Sequence, residues 1–160
     1  MITSSKLLIL GKGAAGKDHL CRRFEKRGFT KSISYTTRPI RPNEKDGIDY
    51  HFISEQQFKL MSEQNLWQEQ DCFRGWYYGT TKSSFEDNNL FIKTPRGLAA
   101  MKPEDRTQCF VIYLNPTKDV LRKRLESRND ADDVERRIRT DEEAFADFKD
   151  YDLMITDPNF

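Results

Sequence analysis

Lys6-Leu7-Leu8-Ile9-Leu10-Gly11-Lys12-Gly13-Ala14-Ala15-Gly16-Lys17 is the stretch on which the fold turns. Lys6–Leu10 is a short apolar run stopped by Gly11, the pattern of a buried strand. A glycine-rich loop follows. From Lys17 to Lys26, Leu20, Cys21 and Phe24 recur at spacings of three and four, a helical period that Gly28 ends. Strand, glycine loop and helix in direct succession open a βα unit. The same grammar returns further along. Cys109–Leu114 (CFVIYL) is the strongest buried-strand run, Asn115-Pro116 breaks it, and Lys118–Ser127 carries Val120, Leu121 and Leu125 on one side. Leu90–Lys93 and Leu153–Ile155 are shorter strand candidates. The expected class is therefore α/β, with a parallel sheet flanked by helices.

The middle of the chain reads differently. Ile48, Tyr50 and Phe52 alternate with Asp49 and His51, the period of a half-buried antiparallel strand. Phe58, Leu60 and Met61 predict a helix over Glu55–Gln64. Trp67–Phe73 and Trp76–Thr81 straddle Gly75 like a small hairpin. Together, residues 34–81 read as a small antiparallel insertion into the α/β core. Arg122–Arg139 is a basic run studded with acids, the pattern of a solvated helical face.

Composition narrows the function classes. The chain has 160 residues, enough for one domain with a core that needs no disulfide or structural metal. Charged residues make up 33%, apolar residues 36% and aromatics 12%, which fits a folded, highly charged domain. A net charge of +1 gives no reason to expect a nucleic-acid polymer or a membrane surface as partner. No run approaches the ~20 apolar residues of a membrane span, and no basic-then-apolar leader pattern opens the sequence. Cys21, Cys72 and Cys109 fit free thiols in a reducing cytoplasm. His19 and His51 stand in no zinc-type spacing with them.

Gly11 to Lys17 matches G-x-x-x-x-G-K. In that arrangement the N–H groups of Gly11, Lys12, Gly13, Ala14, Ala15 and Gly16 wrap a phosphate chain, the helix dipole assists, and Lys17 reaches the β- and γ-phosphates. The hydroxyl residue that normally follows is replaced by Asp18. Asp18 reads either as a hard oxygen ligand for Mg²⁺ or as a helix-start acid that only complements the dipole. A second constellation is Ser34-Tyr35-Thr36-Thr37-Arg38-Pro39-Ile40-Arg41-Pro42. Two arginines three apart, stiffened by prolines, form either a bidentate phosphate site or an ordinary surface loop.

With Gly47-Ile48-Asp49-Tyr50-His51-Phe52, Glu69 and Tyr77-Tyr78-Gly79-Thr80 added in order, the region resembles the monophosphate-binding part of guanylate kinases. The Leu121–Arg128 segment resembles the helix that leads into their lid, and the likeness covers about residues 5–157 of what would be a short, divergent member. The resemblance implies a P-loop kinase fold: a core of about 1–33, 82–121 and 150–160, a nucleoside-monophosphate insertion of about 34–81, and a helical lid of about 122–149. It implies ATP as phosphoryl donor, Mg²⁺, and GMP or dGMP as acceptor. Arg38 and Arg41 would bind the acceptor phosphate, with the Tyr50 and Tyr78 hydroxyls as further donors; packing in a small sheet is the alternative for both tyrosines. Glu69 would accept from guanine N1–H and the exocyclic amine, or be an exposed acid. Ser34, Gly79 and Thr80 would complete the base site, or the hydroxyls would cap turns. Arg124, Arg128 and Arg137, with Arg136 an alternative to the last, would close over the triphosphate, or lie on a surface helix. Catalysis would rest on Lys17, Arg38 and these lid arginines.

Two departures from the family pattern stand out. Ile92 and Thr94 occupy the positions of its Asp-x-Asp acids, and Asp18 replaces the loop hydroxyl. They leave two other readings open: a catalytically impaired phospholigand-binding module, or a kinase for another nucleoside monophosphate. The expected setting is cytoplasmic and the expected state a monomer or weak dimer.

Overall fold

Leu7 and Ile9 are buried on one side of the first strand and Leu8 and Leu10 on the other in the computed structural model, which describes residues 4–128 and 133–160. Successive strand side chains point to opposite faces, so a strand apolar at every position must be covered twice. That strand, β1 (Lys6–Gly11), lies inside a parallel sheet. Its neighbours are β6 (Leu90–Ile92) and β7 (Cys109–Leu114), and β8 (Leu153–Ile155) pairs with the far side of β7, giving the order β6-β1-β7-β8. Helices α1 (Lys17–Glu25) and α6 (Lys118–Ser127) supply Leu20, Cys21 and Leu121 to the Leu7/Ile9 face. Helices α3 (Lys82–Asp87), α4 (Pro95–Ala99) and α7 (Val134–Phe145) bring Phe85, Leu98 and Phe145 to the Leu8/Leu10 face. Short α5 (Pro103–Arg106) leads into β7.

The second sheet has the order β3-β2-β5-β4, from β2 (Tyr35–Thr36), β3 (His51–Phe52), β4 (Trp67–Phe73) and β5 (Trp76–Thr81). Helix α2 (Glu55–Glu63) is set by a reciprocal capping box between Ser54 and Gln57. It lays Phe58 on this sheet, stacked against Trp67 at 4.4 Å and Tyr77 at 5.2 Å between ring centroids. The β4–β5 hairpin turns on Arg74 (φ 55°) and Gly75 (φ 82°), both left-handed, as a two-residue turn matched to strand twist requires.

Two expectations from the sequence need correction. The strand expected along Ile48–Phe52 is reduced to His51–Phe52, and it pairs parallel to β2, so the sheet is mixed. Asp49 accepts from the Lys45 N–H, Gly47 takes φ 77°, and Asp46 accepts from the Phe52 N–H. These bonds wind residues 45–49 into turns and leave Ile48 61% exposed. The basic run is not one helical face either: α6 ends before Arg128 and a separate α7 begins at Val134 with Asp133 as its cap. Residues 129–132 of the segment read as a lid lie outside the described residues. No helix of the described residues is long and apolar enough to cross a membrane.

Candidate functional site

A cavity of about 780 Å³ runs from the glycine loop to the second sheet. Its floor begins at the C-terminal end of β1, where open α/β sheets present loops to ligands. Ala14 (φ 65°) and Gly16 (φ 101°) bend the loop back on itself. At Gly11 an added Cβ would lie 2.9 Å from the Ala15 Cβ and 3.0 Å from the Leu114 carbonyl, so only glycine lets the loop sit this close to β7. Gly16 caps α1 with no side-chain hydrogen bond, which keeps the first-turn N–H groups for an anion. Lys17 is half-buried and donates to the carbonyls of Gly11 (2.6 Å) and Lys12 (3.0 Å). Desolvation outweighs the Asp141 and Asp18 carboxylates and holds its pKa below the ordinary lysine value.

Asp18 is exposed in the first turn of α1, lines the cavity and pairs with Lys31 at 3.3 Å. Among the described residues no three His, Cys, Asp or Glu side chains gather as a metal site. A divalent ion held here would rest on one carboxylate plus waters and phosphate oxygens, which is how Mg²⁺ is usually bound. Asp18 fits that role.

At the other end of the cavity, Arg38 is 6% exposed. It forks onto Glu44, Nη1 to Oε2 at 3.0 Å and Nη2 to Oε1 at 2.8 Å, and Nη1 also donates to the Pro39 carbonyl. Glu44 further accepts the Arg41 N–H at 2.9 Å, which binds the two halves of the loop together. Burial disfavours the Glu44 charge, but the Arg38 fork and the Arg41 N–H outweigh it, and its pKa falls below 4.5. Arg41 and Ser34 also line the cavity. The Arg38 guanidinium lies 5.4 Å from the Tyr50 ring centroid, and Tyr50 meets Tyr78 edge-to-face at 6.0 Å. Desolvation raises the Tyr50 phenol well above its ordinary value, so it stays a neutral donor.

Below these arginines, Glu69 on β4 and Thr80 on β5 are paired neighbours across the hairpin, 8% and 1% exposed. Both bond the ammonium of Lys93, the residue after β6: the Glu69 carboxylate through Oε1, and the Thr80 hydroxyl at 2.6 Å. Gly79 is forced by the Trp67 ring, which would lie 2.7 Å from a Cβ there. Of the positions where acids were expected, Ile92 joins the apolar cluster beneath α1, and Thr94 caps α4 through the Gly97 N–H. A carboxylate nevertheless reaches this place from another strand: Asp71 on β4 accepts from the Thr94 hydroxyl at 3.2 Å and pairs with Arg96.

The remaining arginines come from α6 and α7. Arg124 donates to the Ala14 carbonyl at 3.0 Å and the Pro158 carbonyl at 2.9 Å, which fastens α6 to the loop. Arg128 is exposed and Arg137 buried, and both line the cavity, whereas Arg136 faces out. One turn beyond Arg137, Asp141 accepts the Gly13 N–H at 2.8 Å and pairs with Arg74 at 2.6 Å. A carboxylate thus occupies part of the loop's anion-binding surface. The sequence reading did not name Glu44, Asp71, Arg74, Lys93 or Asp141 as site residues. For Asp141 a signal existed: with Val134, Ile138 and Phe145 it falls on one α7 stripe at spacings of four, three and four, a charge inside an apolar face.

The guanylate kinase family model matches residues 3–160. A guanylate kinase of Gloeobacter violaceus is 36% identical over 164 residues, covering 94% of this chain and 80% of its own. One of Sulfurimonas denitrificans is 34% identical over 168 residues, covering 98% and 82%. The crystal structure of guanylate kinase from Anaplasma phagocytophilum superimposes with a TM-score of 0.74 at 22% identity over 97% of this chain and 78% of that one, a likeness of fold. The family model, the two relatives and the shared fold agree, and the chain belongs to the guanylate kinase family of nucleoside monophosphate kinases, which draw on ATP and Mg²⁺.

Proposed function

We propose that this chain transfers the γ-phosphoryl group of ATP to GMP or dGMP. The observation that carries the reading is one continuous cavity with a glycine loop and Lys17 at one end and the buried Arg38 fork above Glu69 at the other. Two anions held there face each other with no nucleophilic side chain required between them. An oxygen of the acceptor monophosphate attacks the γ-phosphorus, and the bond to the β,γ-bridging oxygen breaks to leave ADP. Positioning and charge neutralisation supply the rate in such transfers.

In this reading the loop from Gly11 to Gly16 and Lys17 hold the β- and γ-phosphates. Arg38 and Arg41, with Tyr50 and Tyr78, hold the acceptor phosphate. Among the described residues, three of the five Arg38 N–H groups are spent on Glu44 and Pro39, so Glu44 fixes the plane of the fork and leaves two N–H groups for phosphate. Ser34, Glu69, Gly79 and Thr80 form the base site. Arg124, Arg128 and Arg137 approach the triphosphate from the helical segment 122–149, which serves as lid over a core of 1–33, 82–121 and 150–160. Mg²⁺, when bound, shields the β- and γ-phosphate charge, and Asp18 is its protein ligand. Asp141 gives up the Gly13 N–H to the incoming phosphate. The reading is of a monomer or weak dimer; balanced charge speaks against a nucleic-acid polymer or membrane surface as partner, and the free thiols of Cys21, Cys72 and Cys109 fit a reducing cytoplasm.

The test is ADP formation from ATP and Mg²⁺ against GMP, dGMP, AMP, dTMP and dCMP in parallel. Turnover with the guanine acceptors is expected. Turnover with another base alone would keep the kinase and overturn the base site. No turnover with any acceptor, alongside measurable GMP binding, would favour a phospholigand-binding module whose loop Asp141 keeps closed.

A further inference from the structure

Lys93 is out of place for its register. Phe91, two residues earlier on the same face of β6, packs in the core with Leu8 and Leu10, and Lys93 is itself 5% exposed. Its ammonium is not spent on the surface. It bonds Glu69 Oε1 and the Thr80 hydroxyl, and Glu69, Lys93 and Gly79, the residue before Thr80, line the cavity. An ammonium has three N–H groups, and among the described residues only two find partners. Glu69 Oε2 accepts no hydrogen bond from the described residues; a Cβ on Gly97 would lie 3.1 Å from it, so glycine keeps the space beside it open.

We propose that Lys93 is a base-specificity residue that donates to the 6-keto oxygen of the acceptor purine, beside Glu69 at the purine N1–H. The inference rests on the guanine-nucleotide reading above. The edge of guanine runs acceptor, donor, donor: O6, N1–H and the exocyclic amine. A cation beside a carboxylate presents donor then acceptor in the matching order. Adenine presents an amine and a bare N1, which set donor against donor and acceptor against acceptor and leave the third Lys93 N–H and Glu69 Oε2 unmatched. The pair is also neutral as a unit, so the base site accepts an uncharged ring without burying a net charge. Glu69 and Thr80, paired across the β4–β5 hairpin, hold the ammonium by two of its N–H groups and leave the third for a ligand. Ile92 and Thr94 also line the cavity, but Ile92 carries no polar group and the Thr94 hydroxyl is bonded to Asp71 and the Gly97 N–H.

The decisive comparison is GMP against its 6-thio analogue, whose sulfur accepts hydrogen bonds weakly. Parent protein, Lys93→Met and Lys93→Arg are each assayed for kcat/KM with both acceptors at saturating ATP and Mg²⁺. The parent is expected to favour GMP by about tenfold or more. Lys93→Met is expected to lose most of its GMP turnover efficiency and keep most of its efficiency with the thio analogue, so that the preference collapses toward one. Lys93→Arg, which keeps a donor, is expected to retain part of it. A role limited to supporting Glu69 would lower both acceptors together and leave the ratio intact, and that result overturns the proposal. Equal use of the two acceptors by the parent overturns it too, whether or not Lys93→Met folds. A parent protein with no GMP turnover fails at the earlier step and sinks the guanine reading together with this one.

Discussion

Arg38→Lys keeps the charge and removes the fork, and the structure says what that change costs. Arg38 spends two N–H bonds on Glu44, at 3.0 and 2.8 Å, and one on Pro39. The Nε–H and one Nη2–H remain for the acceptor phosphate. A lysine ammonium in the same place has three N–H groups on one atom. It can satisfy one Glu44 oxygen, the Pro39 carbonyl and one phosphate oxygen, so one charge-assisted bond to phosphate is lost. Such bonds contribute about 1.5–3 kcal/mol, which corresponds to a fall of about 10- to 150-fold in kcat/KM for GMP. The donor side is far from the change, so KM for ATP at saturating GMP is expected to stay within about twofold of the parent. The retained charge limits the loss of stability to about 1–2 kcal/mol, since Glu44 is not left without a cation. Coupled ADP release with GMP as the varied substrate, beside urea denaturation of both proteins, reads all three quantities. A folded Arg38→Lys protein whose GMP kcat/KM lies within about threefold of the parent would refute the bidentate phosphate role.

Three further outcomes follow from the same geometry. Lys17 must be protonated to meet phosphate, and desolvation holds its pKa below 10.5, so the pH profile of kcat/KM for ATP should fall on the alkaline side below that value; Lys17→Arg should push the limb upward, and an unmoved limb would count against Lys17 as its source. Glu44 has a depressed pKa, so its stabilising effect is present above the unfolded value near 4.5 and is lost as pH falls through the folded value. The difference in urea-derived stability between the parent and Glu44→Gln should therefore shrink below pH 4.5, and a constant difference would contradict the ion pair. Phe58→Ala removes a ring 3% exposed and stacked on Trp67 and Tyr77, an expected loss of about 3–5 kcal/mol that should raise KM for GMP more than KM for ATP.

The order of elements was legible because each rests on a local pattern. The runs Cys109–Leu114 and Leu153–Ile155 match β7 and β8 to the residue, and the helix read at Lys118–Ser127 is α6. The hairpin also stood out, since two aromatic-rich runs close on a glycine that adopts positive φ. Pattern failed where local polar bonds competed with alternation, as at residues 45–49. It failed again for charges whose partners are distant in sequence. Asp141 meets Gly13 across 128 residues and Lys93 meets Glu69 across 24. No spacing rule connects such pairs. What the sequence offered instead was a misfit, a lysine in the register of Phe91 and an aspartate in the stripe of Ile138, and a misfit at a buried position points to function more often than to error.

The central claim is that the cavity brings donor and acceptor phosphates into one transfer, and following the γ-phosphorus itself tests it most directly. Purified protein with Mg²⁺, GMP and ATP labelled in the γ-phosphate should yield labelled GDP in amounts equal to the ADP formed, with little free phosphate, and omitting GMP should stop ADP formation. Label found only in inorganic phosphate, or no loss of label from ATP in the presence of GMP, would contradict it.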